Sequence, residues 1–522
     1  MTEAAIERVD AVIVGAGAAG SLMAAKLAQA GKTVMVLEAG PARTLDHLVS
    51  AQTWARRLKW SGPPVIESGA NPIGHVFNAG FGVGGSMLHH YGVWPRLHGE
   101  DFALQSRYDR GLDWPIDYDD LRPYYDRVQD EVGLSGDAEA EIWRPAGAPY
   151  PMPPVPLLAQ GEVLAKGFDA LGMHTAPLPL AVNSVEYKGR AACIWDGWCD
   201  AGCPIGALAN PLVVYLPQAK TAGAVVKANA AVTRVLTNPA GDRAVGVEYR
   251  DANGTRHVQH ADLVVLAAFT VENARLLLAS ATARHANGLA NSSGLVGHYV
   301  MTHPAVAIYG LFDDETTPYL GATGGQLINQ DGYDKTRADK PFGSYQWMIA
   351  QALKPNDLLG FGTGRPDIFG PALNDFMRRA AHHVATMTGV GEDFPMVENR
   401  IALSDRKDAF GMPLAAVHHD SSPQSLAIVR HMIAEGTRIF TAAGAKDVWN
   451  GPQAPMHLMG GTVMGVDAAN SVTNSYGQCH DIGNLVIAGP GLFPTSGAVN
   501  PTFTLHATTL RAAEHLIAHW PA

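Results

Sequence analysis

Three features of this 522-residue chain predict an α/β fold whose nucleotide-binding sheet is closed by both ends of the sequence. The first is an apolar run, residues 9–14, entering Gly15-Ala-Gly17-Ala-Ala-Gly20. The second, near the other end, is a returning apolar run with turn chemistry, NLVIAGPGLFPTSGAVNP over residues 484–501. The third is length. A chain this long exceeds one ordinary core, so a second, α+β domain carrying an antiparallel sheet is expected.

The N-terminal signal is an ordered series: strand, tight turn, Ala-rich helix over 21–30, strand over 32–37, then Glu38. Gly15 permits the turn, Gly17 lets the backbone approach a pyrophosphate, and Gly20 lets helix and strand pack closely. Glu38 follows about 20 residues on, where a carboxylate can receive adenosine ribose hydroxyls. This is a Rossmann-like dinucleotide site; the rival is an ordinary Gly-rich turn.

Residues 78–87 (NAGFGVGGSM) form a second Gly-rich segment, followed by His89 and His90. So much glycine exposes backbone N–H groups to a ligand's oxygens, unless the segment is only a flexible surface loop. Residues 112–125 (LDWPIDYDDLRPYY) cover or brace something and carry no obvious chemistry. Past a Pro-rich crossing over 143–156, Cys193, Cys199 and Cys203 stand as C-x5-C-x3-C-P. Soft sulfur ligands select iron clusters or zinc. Three cysteines match a three-iron cluster; a zinc site borrowing His174, or a disulfide plus a free thiol, stays open.

Residues 223–236 and 244–250 alternate as strands, and 264–268 (VVLAA) reads as a buried strand returning beside the first. A helix over 270–279 follows, whose Asn273 and Arg275 serve either a phosphate or packing. Residues 301–452 are less regular. Tyr345 and Trp347 lie in an alternating run, and a strand opens at 399–403. The pairs His382–His383 and His418–His419 are expected on surface or loops. The domain division is therefore 1–300, 301–452 and 453–522.

Composition narrows the class. With 47% hydrophobic and 17% charged residues the chain reads as a well-buried, enzyme-like protein, and a net charge of −11 argues against nucleic-acid or anionic-membrane binding. No apolar run is long enough to span a bilayer. The start, MTEAAIERVDAVIVG, reads as a first strand rather than a leader.

Several motifs together resemble the glucose-methanol-choline (GMC) family of FAD-dependent oxidoreductases: GAGAAG with Glu38, GFGVGGSMLHH (80–90), DWPIDYDDLRPYYDRV (113–128), VVLAA, HLMGGTVMG (457–465) and the segment from 484 to 516. The resemblance implies FAD held by Gly15, Gly17, Gly20, Glu38, Gly84, Gly85, Ser86, His89, Val232, Gly489 and Pro501. It implies His457 over the flavin as general base and Asn500 across from it. His89 falls where some relatives attach FAD covalently. One departure is Phe269 after VVLAA, where glycine is usual.

The cysteine pattern resembles the large subunits of bacterial sugar, polyol and glycoside dehydrogenases. That likeness implies a [3Fe-4S] cluster on Cys193, Cys199 and Cys203, a small partner subunit and a cytochrome c or other acceptor. It leaves the chain cytoplasmic by its own start, or periplasmic if exported with a signal-bearing partner. An imidazole can take a hydroxyl proton at neutral pH, while an amide can only hold and orient the hydroxyl. The expected reaction is oxidation of a sugar, glycoside or polyol hydroxyl, with electrons leaving through the cluster. Its rivals are an oxygen-using oxidase of the same fold, a sterol or aromatic alcohol oxidoreductase, a non-catalytic flavoprotein subunit and a hydroxynitrile lyase.

Overall fold

The structure is a computed structural model that describes residues 8–59, 62–362 and 364–521. The reading of residues 1–7 as the approach to a strand lies outside the described residues. The first strand, Arg8–Val14, is buried on both faces from Ala11 onward, as its unbroken apolar run requires. It pairs in parallel with Val34–Leu37 on one side and Arg256–Leu266 on the other. Val225–Lys227 extends the parallel set beyond Val34–Leu37. On the far side Arg256–Leu266 turns through two antiparallel strands, Ala244–Arg250 and Ala231–Thr237.

The sheet is completed by Leu485–Ile487, parallel to the end of Arg256–Leu266. The helix Thr502–Ala518 then packs on Ala18–Gln29. The stretch over 112–125 enters a helix, Tyr118–Val132, capped by the Asp117 side chain accepting from Asp120 N at 3.0 Å. Its Tyr125 packs edge-on against Phe503 at 4.7 Å. The segment does brace, and its partner is the C-terminal helix.

The second sheet is antiparallel throughout. Its order is Asp447–Asn450, Met301–Leu311, Val384–Gly391, Tyr345–Ile349, Leu327–Asn329 and Ala176–Pro177, with Ala454–Met459 also on Met301–Leu311. The strand Ala454–Met459 therefore belongs to this sheet, although the sequence grouped residues from 453 onward with the cofactor-binding part. Register explains it: the strand pairs with Met301–Ala305, delivering the chain to the first sheet only after Met459.

The helix Pro423–Ala442 covers this sheet, and small residues set the approach. A Cβ on Gly436 would lie 2.6 Å from Ile308 of the sheet, and one on Gly167, in the neighbouring helix Ala159–Ala170, would lie 2.3 Å from the Ile439 carbonyl oxygen. Tyr345 and Trp347 are buried beneath it, and both donate to Glu435, at 2.7 and 3.0 Å. A third, three-stranded sheet joins Ile66–Ser68 to the hairpin Arg400–Lys407 and Pro413–His418.

The histidine pairs divide. His382 is exposed and His383 and His418 are partly so. His419 departs from its expected surface position. It is fully buried, with Nε2 2.9 Å from Asp393 and Nδ1 2.6 Å from the Asn71 carbonyl. Burial opposes a charge there, but the Asp393 hydrogen bond wins and raises its pKa.

Candidate active site and its cofactor cavity

One cavity of about 830 Å³ runs between the two large sheets, a size ordinary for cofactor and substrate sites. At one end it meets the Gly15–Gly17 turn and Glu38, with Val232 on the wall. Gly15 has φ +102, and a Cβ there would lie 2.5 Å from the Ala267 carbonyl oxygen. The second glycine segment rests directly on this turn. Gly84 N donates to Ala16 O at 3.0 Å, and a Cβ on Gly85 would lie 2.9 Å from Gly17 Cα. The segment is thus a packed wall of the cavity, which removes the flexible-loop reading. The Glu38 carboxylate ties both walls together, accepting from Ala16 N at 2.9 Å, Gly40 N at 2.8 Å and Gly82 N at 3.1 Å.

Of the remaining cofactor residues expected from the sequence, Ser86, His89, Gly489 and Pro501 also line the cavity. Gly20 and Gly84 act from behind: a Cβ on Gly20 would fall 2.0 Å from the Gly15 carbonyl oxygen. His89 is buried with no hydrogen-bond partner for Nε2, and burial pushes its pKa down to about 3. An orphaned ring nitrogen on the cavity wall suits a group with its own polar edge. Asn273 and Arg275 are both held by protein partners, and Arg275 also lines the cavity. Asn273 accepts from Ala268 N at 2.8 Å, and Arg275 pairs with Glu272 at 2.9 Å and Asp408 at 2.6 Å.

At the other end lie His457 and Asn500. His457 interrupts the pairing of Ala454–Met459 with Met301–Leu311: Met456 faces His303, Leu458 faces Thr302, and His457 is the extra residue between, at φ +61. Thr302 and Thr270 hydroxyls clamp the flanking carbonyls, Met456 O at 2.7 Å and Leu458 O at 2.9 Å. The bulge thereby aims the ring into the cavity. Asn500 comes from the buried loop before Pro501, which caps the helix Thr502–Ala518. Its Nδ2 lies 3.2 Å from His457 Nε2. Burial first, then the facing His303 ring, hold His457 well below the ordinary imidazole range.

Sequence reasoning missed His303, whose Nδ1 is 2.9 Å from His457 Nδ1, and Gln346, whose Nε2 donates to Asn500 Oδ1 at 3.0 Å. The only available signals were a lone histidine and a lone glutamine inside otherwise apolar strands. Behind them sits a fully buried ionic cluster. Lys335 pairs with Asp101 at 2.6 Å and Glu392 at 2.8 Å, and Asp101 accepts from Tyr333, whose oxygen accepts from Ala498 N. It fixes the loop that carries Asn500.

The three clustered cysteines line a separate cavity of about 120 Å³. All four cysteines are free thiols, which removes the disulfide reading. His174 is engaged elsewhere, with Nε2 2.8 Å from Ala140 O, which removes the borrowed zinc ligand. Backbone N–H groups point at sulfur, Trp195 at Cys193 and Leu208 at Cys203, at 3.3 and 3.4 Å. Burial pushes Cys193 up to about 11 and Cys199 to about 12. Among the described residues, no group of three or more His, Cys, Asp or Glu is gathered to hold a metal ion.

Comparison with known proteins decides the family. Residues 9–305 match the N-terminal GMC oxidoreductase family model, and residues 395–509 match the C-terminal one. The chain belongs to the GMC oxidoreductase family. It is an FAD-dependent oxidoreductase acting on CH–OH groups, and the glycine-walled cavity fits that cofactor. Among curated relatives of this GMC protein, the fructose dehydrogenase large subunit of Gluconobacter japonicus is 30% identical over 97% of both chains. The 2-methyl-1,2-propanediol dehydrogenase of Mycolicibacterium austroafricanum is 31% identical over 98% of this chain and 95% of its own. The 6'''-hydroxyparomomycin C oxidase of Streptomyces lividus is 27% identical over 98% and 92%. A solved formate oxidase from Aspergillus oryzae shares the fold, with a TM-score of 0.71 at 16% identity over 98% of this chain and 99% of its own. Among the described residues no helix is long and apolar enough to cross a membrane.

Proposed function

We propose that this protein oxidises a secondary alcohol or hemiacetal hydroxyl of a sugar, glycoside or polyol, with His457 taking the hydroxyl proton. The observation that carries the reading is the His457–Asn500 pair, 3.2 Å apart on the cavity wall. Bound FAD supplies the hydride acceptor. A substrate hydroxyl that replaces the direct hydrogen bond between the two side chains donates to His457 Nε2 and accepts from Asn500 Nδ2. Because burial keeps His457 neutral, Nε2 keeps a lone pair, which at rest accepts from Asn500 Nδ2 and passes to the substrate hydroxyl on binding. As the proton leaves, the Asn500 N–H meets growing negative charge on oxygen, where a preorganised donor is worth most. Gly15, Gly17, Glu38, the loop through Gly84, Gly85 and Ser86, His89, Val232, Gly489 and Pro501 would hold the cofactor, with Gly20 setting the helix behind it. The substrate class is supported by the fructose and diol dehydrogenases and the aminoglycoside oxidase among the relatives.

The electron acceptor separates two readings. The one that asks least of this chain is oxygen: an oxidase forming hydrogen peroxide, supported by the oxidase relative and needing nothing from the cysteines. The other is a dehydrogenase in which Cys193, Cys199 and Cys203 hold a [3Fe-4S] cluster and pass electrons to a small subunit or c-type cytochrome. Its support is the shared cysteine cavity, the N–H groups aimed at two of the sulfurs, and the two dehydrogenase relatives. Bonds of about 2.3 Å draw the sulfurs of a single ion close together, whereas a polynuclear cluster spreads them.

One preparation tests both. Iron, acid-labile sulfide and flavin are measured on anaerobic protein, then peroxide formation in air with D-fructose, methyl α-D-glucoside and 2-methyl-1,2-propanediol. Peroxide matching substrate consumed, without iron, supports the oxidase. About three irons per flavin with dye-dependent turnover supports the dehydrogenase. Flavin left oxidised by all three compounds and by a wider alcohol panel overturns both.

A further inference from the structure

The His457–Asn500 pair is the middle of a longer hydrogen-bonded chain whose direction is fixed at its end. His303 Nε2 lies 3.2 Å from the Ser496 carbonyl oxygen and 3.0 Å from that of Gly497. A carbonyl only accepts, so this nitrogen carries the hydrogen. The His303 ring is fully buried, and burial pushes its pKa down to about 4, so its other nitrogen is a bare lone pair at neutral pH. His457 Nδ1, 2.9 Å away, must therefore donate to it. That leaves His457 Nε2 without a hydrogen, facing the Asn500 amide.

The other half of the chain agrees without further assumption. If His457 Nε2 accepts, Asn500 must present its NH₂, and its oxygen must find a donor elsewhere. Gln346 Nε2 is that donor at 3.0 Å, and the Gln346 oxygen accepts in turn from Gln330 Nε2 at 3.0 Å. The Gln330 oxygen faces His98 Nε2 at 3.3 Å. Every member is paired, and every link runs from His98 toward the Ser496–Gly497 carbonyls.

We propose that His303 is a positioning residue: it selects the Nδ1–H tautomer of His457 and so keeps the Nε2 lone pair turned toward the substrate hydroxyl. The inference rests on His457 being the base. In the opposite tautomer Nε2–H would face the hydroxyl and could not take its proton; a wrong tautomer in a serine-protease triad costs about 10⁴-fold.

The test compares His303→Asn with His303→Leu in the FAD-loaded enzyme. Asparagine keeps, at the place of His303 Nδ1, an oxygen that accepts from His457 Nδ1; leucine keeps no acceptor. Two readouts are taken. One is the anaerobic flavin-reduction rate with the fastest of D-fructose, methyl α-D-glucoside and 2-methyl-1,2-propanediol, across neutral pH. The other is the long-range ¹H–¹⁵N spectrum of histidine-labelled protein, which reads each ring nitrogen as protonated or bare.

The wild type should show His457 with protonated Nδ1 and bare Nε2. His303→Leu should slow reduction about 10- to 10³-fold at saturating substrate, less than the roughly 10²–10⁴-fold cost of losing the base outright, and should bring in protonated Nε2. His303→Asn should keep the wild-type tautomer and pH profile. Protonated Nε2 in the wild type overturns the proposal even if the leucine variant does not fold. So does a leucine variant as fast as wild type, or an asparagine variant as slow as leucine. If His457→Ala reduces flavin at the wild-type rate while wild-type His457 still reads Nδ1–H, the base reading falls and the tautomer assignment stands.

Discussion

The two large sheets contribute to the same cavity by opposite means. The parallel sheet offers main chain: two glycine segments in contact, a carboxylate holding three backbone N–H groups, and apolar strands behind. The antiparallel sheet offers side chains: His303, Gln346 and Gln330 project from buried strands or their ends into a polar chain that reaches His457 and Asn500. The main chain at Gly15, Gly20 and Gly85 leaves no room for an added Cβ. Side-chain recognition tolerates any residue that preserves donor and acceptor. On the proposed reading, the difference separates a part that binds a fixed cofactor from a part that sets reactivity.

Breaking the first means should have the largest effect. Gly20→Val puts atoms where a Cβ alone meets the Gly15 carbonyl oxygen at 2.0 Å. We expect the purified protein to release no stoichiometric FAD on heat denaturation; normal flavin content would show that the turn can shift.

His457→Ala breaks the second means at its centre. FAD should stay bound while flavin reduction slows about 10²–10⁴-fold, read by anaerobic stopped flow. His457→Asn, which tolerates a left-handed backbone better, guards against a purely conformational loss, and wild-type reduction in both variants would remove His457 from the chemistry.

Gln346→Leu acts one bond further out and should cost less. The Asn500 oxygen loses its donor, and an unsatisfied buried acceptor costs about 1–3 kcal/mol. The expected drop in kcat/KM is about 5- to 150-fold at unchanged flavin content; an unaltered value would mean that the amide orients without Gln346.

The mildest test is pH. The rings of His75, His303 and His506 are each pushed by burial down to about 4. Between that value and the ordinary 6.5 the unfolded chain binds protons that the folded chain refuses, so stability falls as pH falls through this window. Each tenfold loss of a ring's proton affinity on folding is worth about 1.4 kcal/mol. Melts of the holoprotein at pH 7, 6 and 5 should show a declining Tm. A flat Tm would mean that these rings take up protons while folded.

The parallel half was legible because its signals are local. Gly15, Gly17, Gly20 and Glu38 sit within one strand–turn–helix–strand, and each is demanded by the backbone of its neighbours. The helix over 270–279 emerged with the same bounds, Thr270–Ala279. The antiparallel sheet was expected, and the alternating run at Tyr345 and Trp347 is one of its strands; its polar chain was not legible, because that logic joins positions far apart in sequence. His303 acquires meaning only opposite the bulge at His457, and Gln346 only beside Asn500, 154 residues away. His419 shows the same blindness: its placement follows from Asp393 in another segment. Glycine spacing reports backbone geometry, whereas no spacing reports a tertiary hydrogen bond.

The strand Leu485–Ile487 and the helix Thr502–Ala518 have a consequence for how the molecule is made. They complete a sheet and a helix layer begun at Arg8–Val14 and Ala18–Gln29. During synthesis the early strands must therefore wait, apolar face unfilled, until residues near 518 have left the ribosome. A nascent chain that stops short of Leu485 would hold every glycine of the dinucleotide turn and still lack Gly489 and Pro501, so the cofactor cavity is closed only once these late-made segments join the first sheet.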